Sequence, residues 1–301
     1  MDRVVVWYGE LTTARNLLWR GVLLVLPGLL WLLTFLVLPG LVLIPLSFAE
    51  RGAFGEVVWT FTWDNYRRLL GFGVLGFSLD NLMALFRTLW VALVTTVLAG
   101  IVAYPVAFFI RSQPAHRRYF FLALVLIPFW TNIVIRTYAW QLLLAPEMPF
   151  ARILSALGLV EPGMALFPSS LAVYMGMLSA FLPFMVLPVY SSVERLDESL
   201  LEAVRDLYGG PVRVFLHGVL PQTLPGLTVG AILTFIPAMG MFVVPDLLGG
   251  ARHLLVGNLI QQAFYSMRDW PYGAALSLVL ILLTLLALRL YRRHGKEVEL
   301  A

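Results

Sequence analysis

The sequence predicts an all-α, polytopic protein that crosses a membrane six times. Two observations carry this reading. The chain of 301 residues is 60% hydrophobic and only 13% charged, against about half and roughly a quarter in an ordinary soluble domain. A water-soluble core of this size cannot hide the excess, so the chain needs lipid as a solvent. The apolar residues also come in six long runs, each near the ~20 residues that hydrocarbon thickness requires at ~1.5 Å per residue. Helices are expected in them because lipid offers backbone groups no other partner.

The runs cover residues 21–48, 85–110, 119–145, 171–191, 227–247 and 272–291, with soft edges. The first outlasts the ~7–15-residue apolar core of a signal peptide, and no small-residue cleavage site follows it, so it reads as a retained span. Pro27, Pro39, Pro105, Pro128, Pro183 and Pro237 fall inside the runs. They are either tolerated kinks or breaks that line a path.

Basic residues set the orientation. Arg3, Arg15 and Arg20 precede the first run. Arg111, Arg117 and Arg118 lie in the second loop, and Arg289, Arg292, Arg293 and Lys296 follow the last run. With six alternating spans these segments share one side, which predicts cytoplasmic termini. The first loop offsets Arg51, Arg67 and Arg68 with Glu50, Glu56, Asp64 and Asp80, and the third offsets Arg152 with Glu147 and Glu161. Trp59, Trp63, Tyr66 and Trp270 cluster near the outer ends, as interfacial aromatics do. The expected organisation is one membrane domain over 21–291 between cytoplasmic segments 1–20 and 292–301. The formal charge of +4 is read as orienting charge, with lipid rather than nucleic acid as the partner.

The fourth loop, 192–226, departs from this pattern. It sets Glu194, Asp197, Glu198, Glu202 and Asp206 against Arg195, Arg205 and Arg213. Leu196, Leu200, Ala203 and Leu207 recur at helical spacing, and Gly209-Gly210-Pro211 stops the helix. A second short helix fits Val212 to Val219, ending before Leu220-Pro221. The pair reads either as surface helices between spans or as a docking element.

Glu202-Ala203-Val204-x-Asp206-Leu207, then Gly209-Gly210-Pro211, Phe215 and Leu220-Pro221, resembles the EAA loop of ABC importer permeases. Val204 stands where alanine is usual, and Tyr208 where glycine is usual, which shifts the glycine-permitted turn by one residue. The resemblance implies the type I ABC importer permease fold. It implies a coupling helix in which Glu202, Ala203, Asp206 and Leu207, ended by Gly209 and Gly210, contact an ATPase subunit. It further implies an ATPase homodimer, a second related permease and an extracytoplasmic substrate-binding protein.

The chain carries no machinery for hydrolysing ATP. A P-loop needs lysine followed by serine or threonine, whereas the single lysine, Lys296, precedes Glu297. With no cysteine, and with His116, His217, His253 and His294 scattered, no metal site is expected. No Gly-x-Ser-x-Gly elbow appears. No enzymatic activity and no cofactor are expected.

Further segments resemble the permease of spermidine/putrescine ABC transporters. They are Phe61-Thr62-Trp63-Asp64-Asn65-Tyr66, Ile127-Pro128-Phe129-Trp130-Thr131-Asn132, Arg136-Thr137-Tyr138-Ala139-Trp140, Val244-Pro245-Asp246-Leu247-Leu248-Gly249-Gly250, Gly257-Asn258-Leu259-Ile260 and Trp270-Pro271-Tyr272-Gly273. Iron, phosphonate and thiosulfate importers have related permeases. Polyamines suit carboxylates and aromatic faces, so Asp246, Trp130, Tyr138 and Trp140 are the candidate path residues. Asp246 alternatively ends a helix, and the aromatics alternatively face lipid or pack. Straight-helix arithmetic puts Asp246 ~28 Å into the fifth span and Arg136 roughly 25 Å into the third, where Arg136 pairs with an acid or holds an outer gate. A secondary transporter would share the hydropathy but usually shows repeats. A membrane anchor has no need of the acidic loop.

Overall fold

The computed structural model describes residues 14–73, 76–158, 160–161, 163–250 and 253–298, so Arg3 and the extreme ends of both terminal segments lie outside the described residues. The first span is α1 (Ala14–Leu32), a π-helical turn (Leu33–Val37) and α2 (Leu38–Ser47). A short hairpin, β1 (Glu50–Arg51) with β2 (Val57–Val58), leads to α3 (Asp64–Leu69). A second hairpin, β3 (Phe72–Gly73) with β4 (Gly76–Phe77), leads to the second span, α4 (Asp80–Ser112). Then come α5 (Ala115–Trp130), α6 (Ile133–Leu143), α7 (Pro149–Ala156), α8 (Ser170–Glu194) and α9 (Glu198–Tyr208). After α10 (Pro211–Val214), a π turn (Phe215–Val219) and α11 (Leu220–Gly240), a π turn (Pro245–Gly249), α12 (Val256–Tyr265) and α13 (Trp270–Val298) complete the chain.

Two spans differ from the expected runs, one of them by a break of the kind its proline left open. The third predicted span is α5 and α6 together, a pair bent by 94° at Thr131-Asn132; among the described residues five helices are long and apolar enough to cross a membrane, and there are six spans when this pair counts as one. The fifth runs over Pro211–Gly240, starting well before residue 227 and ending before 247. The expected short helix over Val212 to Val219 therefore does not stop at Leu220-Pro221. It continues into α11 through the π turn. Proline lacks an N–H, and its ring clashes with the carbonyl four residues back. For Pro221 that carbonyl belongs to His217, at the centre of the π turn. Pro39 has the same relation to Phe35, at the centre of the first π turn. In both places a wider turn accommodates the proline and the helix goes on.

The core is a trio of spans, α4, α8 and α11, packed on one another. Small residues let the backbones approach, as is usual where apolar burial cannot drive helix association. Gly226 and Gly230 of α11 lie against α8. A Cβ at Gly226 would collide with the Pro188 carbonyl and Ser192 Oγ, and one at Gly230 would sit 2.7 Å from Met185 Sδ. Tyr104 Oη and Thr223 Oγ1, both buried, lie 2.8 Å apart and tie α4 to α11. By contrast, the apolar window of the first span is not buried by the rest of the chain, and only the end of α2 docks, on α13.

Polar contacts gather the loops at two ends. At one end, Arg68 Nη1 meets the buried carboxylate of Asp269 at 2.6 Å and its guanidinium lies 4.0 Å over the Tyr272 ring, fastening α3 to the start of α13. Ser169 N–H donates to the Leu248 carbonyl at 3.0 Å, which brings the third loop to this end. The second and fourth loops meet at the other end. Gly226→Ala should cost about 1–3 kcal/mol through overpacking, read as a lower thermal midpoint in detergent. Gly28→Ala, whose added Cβ meets nothing within 4 Å, should leave the midpoint unchanged or slightly raised.

Candidate coupling loop and substrate path

The fourth loop is built around a capped amphipathic helix. Asp197 is the N-cap of α9: its Oδ1 accepts from Ser199 N–H at 2.9 Å and from Ser199 Oγ at 2.7 Å. The Ser199 side chain, followed by the Ser199 and Leu200 N–H groups, holds the Asp197 carboxyl below the usual aspartate range. A depressed carboxyl pKa contributes stability above its unfolded value, and that contribution is lost as pH falls through the folded one. At the other end Gly209 adopts φ +66° and its N–H donates to the Arg205 carbonyl at 2.8 Å. Tyr208 is the last helical residue. The turn needing glycine thus falls at Gly209, and Gly210 precedes α10 in extended conformation.

One face of α9 is used internally. Val204 is buried and Leu201 half-buried, and both lie over Gly218, where a Cβ would come 3.0 Å from Leu201 Cδ2. The opposite face presents Glu202, Ala203, Asp206 and Leu207, all exposed, with Leu207 at 79%. Leu196 is buried under the loop, while Leu200 is exposed. The apolar residues that repeat at helical spacing therefore divide between the chain's own core and an open surface.

The loop is tethered to its neighbours. Arg111 Nη2 meets Glu198 Oε1 at 3.0 Å, and Arg118 Nη1 meets Glu194 Oε1 at 3.4 Å. Asp197 N–H donates to Gln222 Oε1 of α11 at 3.0 Å. Part of the acidic excess thus neutralises the second loop, a use the sequence showed only as opposite charge in two loops. Exposed pairs of this kind contribute about 0–1 kcal/mol, so they set the position of α9 more than the stability of the fold. Among the described residues, Glu202 and Asp206 form no ion pair.

The candidate path residues separate into two groups. Asp246 is exposed in the π turn that follows α11, and it lies beyond that helix rather than 28 Å along it. This turn packs on α6, where Gln141 Nε2 donates to the Leu247 carbonyl at 2.6 Å. Tyr138, half-exposed, and Trp140 belong to α6, so the fold brings their helix beside the Asp246 turn. Trp130, 81% exposed, sits across the 94° bend. Trp140 is occupied: its Nε1–H donates to Ser179 Oγ of α8 at 2.8 Å. Among the described residues Arg136 pairs with no acid. Its Nη1 donates to the Ser179 carbonyl at 3.2 Å and its Nη2 to the Thr131 carbonyl at 3.0 Å. Gln141 and Ser179 were not singled out in the sequence; a polar residue inside an apolar run was the available signal. No group of acidic residues and histidines suited to a metal occurs among the described residues.

Comparison with known proteins fits this geometry. Residues 119–299 match the family described as binding-protein-dependent transport system inner membrane component. The chain is 40% identical to the spermidine/putrescine transport system permease protein PotB of Escherichia coli (strain K12), over 86% of this chain and 93% of that protein. It is 36% identical to PotB of Haemophilus influenzae (strain ATCC 51907 / DSM 11121 / KW20 / Rd), over 85% and 87%. The solved structure of a bacterial alginate ABC transporter, in complex with an alginate pentasaccharide-bound periplasmic protein, contains a chain that superposes with a TM-score of 0.72. That match has 14% identity and covers 97% of each chain. At this identity the likeness is one of fold, and the fold is the type I importer permease architecture that the loop motif implied. The chain belongs to the family of binding-protein-dependent transport system inner membrane components, as a multi-pass permease of the inner membrane.

Proposed function

We propose that the chain is the translocation subunit of an ATP-driven polyamine importer, working with an ATPase homodimer, a second related permease and an extracytoplasmic binding protein. The 40% identity to a spermidine/putrescine permease across 86% of the chain carries the substrate assignment. The open face of α9 supports the coupling assignment: Glu202, Ala203, Asp206 and Leu207 point away from the chain's own core. In this reading the α9 end is cytoplasmic, with both termini on that side and the membrane domain over 21–291. ATP is hydrolysed by the partner subunits.

The mechanism follows from the tethering of α9. A displaced coupling helix pushes through Leu201 and Val204 on Gly218, and through Asp197 on Gln222. Gly218 and Gln222 begin the fifth span, which is locked to α8 at Gly226 and Gly230. Closure of the ATPase pair is then carried into the core trio as a rigid-body movement, the usual basis of alternating access.

Three experiments test the proposal. The double variant Glu202→Lys, Asp206→Lys should insert normally but lose ATPase co-purification and transport, because disrupting a desolvated charged contact costs about 2–5 kcal/mol; normal co-purification and uptake would remove α9 from the interface. With the cognate binding protein, the reconstituted complex should take up spermidine or putrescine and not an anionic phosphonate. Transport of the anion alone would overturn the polyamine assignment. Asp246→Asn should lower polyamine uptake while assembly stays intact. Unchanged uptake would mean that Asp246 serves the turn, where asparagine substitutes well.

A further inference from the structure

The bend in the third span exposes the ends of two half-helices where lipid supplies no hydrogen bonds. Side chains close three of the backbone groups there. Thr131 Oγ1 donates to the Pro128 carbonyl at 2.7 Å, and Asn132 Oδ1 accepts from Val134 N–H at 2.8 Å as the N-cap of α6. The Thr131 carbonyl, at the end of α5, is taken by Arg136 Nη2, while Nη1 of the same guanidinium reaches the Ser179 carbonyl of α8. One turn further along α6, Trp140 reaches Ser179 Oγ, which itself donates to the Gly176 carbonyl. Gly176 is the point where Val244 and Leu248, flanking Asp246, press on α8: a Cβ there would lie 2.7 and 2.6 Å from their side chains.

We propose that Arg136 is a positioning residue of the transport cycle, a strut that fixes the angle of the broken third span by bridging its exposed Thr131 carbonyl to Ser179 of the fourth span. Packing alone does not account for an arginine here. Among the described residues its Nε is buried without a hydrogen-bond partner, a cost that an apolar side chain of similar length would avoid. Two carbonyls on different elements instead require a planar donor with two separate arms, which guanidinium supplies and ammonium does not. The strut leads from the bend to Ser179, and from Ser179 through Gly176 to the turn holding Asp246. It therefore places Trp130, on α5, relative to that turn without itself touching the transported solute. The inference rests on the transport reading but not on the identity of the solute.

The chain has no native cysteine, so spin labels at Leu124→Cys on α5 and Leu142→Cys on α6, both exposed, report the bend in the assembled complex. In the wild-type background the label distance should be single and narrow. Arg136→Met, which removes every donor, should broaden the distribution towards longer distances. It should also lower the maximal uptake rate roughly three- to thirtyfold, with KM changed by less than about twofold, as for loss of a positioning role rather than of ground-state binding. Arg136→Lys, which keeps one donor point and the charge, should fall between the two, and it carries the test alone if Arg136→Met fails to assemble. An unchanged distance distribution in Arg136→Lys together with wild-type uptake would overturn the strut. So would a raised KM at an unchanged maximal rate, which would make Arg136 a substrate contact. Failure of polyamine uptake with the distance changes intact would count against the substrate assignment and not against the strut.

Discussion

In hydrocarbon a backbone N–H or C=O without a partner costs several kcal/mol, and this constraint shapes the permease more than any side-chain contact. A chain with 18 prolines repeatedly loses the donor that would satisfy the carbonyl four residues back. Pro105, Pro183 and Pro237 lie inside uninterrupted α-helices, and elsewhere the structure answers in two ways. At Pro39 and Pro221 the helix widens into a π turn and continues. At the third span it breaks, and Thr131, Asn132 and Arg136 supply the missing partners from side chains. The first answer preserves a straight span, whereas the second creates an angle that a polar side chain must hold.

The same constraint explains where motion can and cannot occur. Lipid tails are as apolar as leucine, so the spans associate through close approach rather than through water exclusion. Gly226 and Gly230 make the fifth span nearly continuous with the fourth, and Tyr104 and Thr223 bind the second to the fifth. Packing this close suits the rigid-body movement proposed for the trio. Helix α9 joins it through Gly218 and Gln222, and the tethers of its loop to Arg111 and Arg118 are weak, exposed pairs. At the opposite end the buried Asp269 is held by Arg68 and by the Tyr272 N–H. Removing Arg68 would leave the Asp269 carboxylate buried without its charge partner, a penalty that the exposed pairs at the α9 end do not carry.

Much of this was legible in the sequence because hydropathy and lipid thickness leave few alternatives. The first, second, fourth and sixth runs match candidate spans to within several residues, and the stop at Gly209-Gly210-Pro211 is where α9 ends. The third and fifth spans were misjudged for one reason. Straight-helix arithmetic assumes that an apolar run is one helix. Pro128 with Thr131-Asn132 ends a helix inside such a run, and Pro221 fails to end one. Whether a proline breaks or merely widens a helix depends on what satisfies the freed carbonyl, and that partner lies elsewhere in the fold. Trp140 illustrates the same limit. Its spacing from Tyr138 gave no hint that its indole N–H is spent on Ser179. The face of α9 was readable only in part, since periodicity grouped Leu196 with Leu200 while burial separates them.

In the proposed cycle ATP hydrolysis reaches the spans through α9. Cross-linking from Ala203→Cys in the otherwise cysteine-free chain tests this during turnover of the assembled complex. Ala203→Cys should capture the ATPase subunit and the captured complex should stop transporting, while Phe54→Cys, on the exposed hairpin of the first loop, should capture none. Normal transport with no capture from Ala203→Cys, or capture of the ATPase from Phe54→Cys, would contradict it.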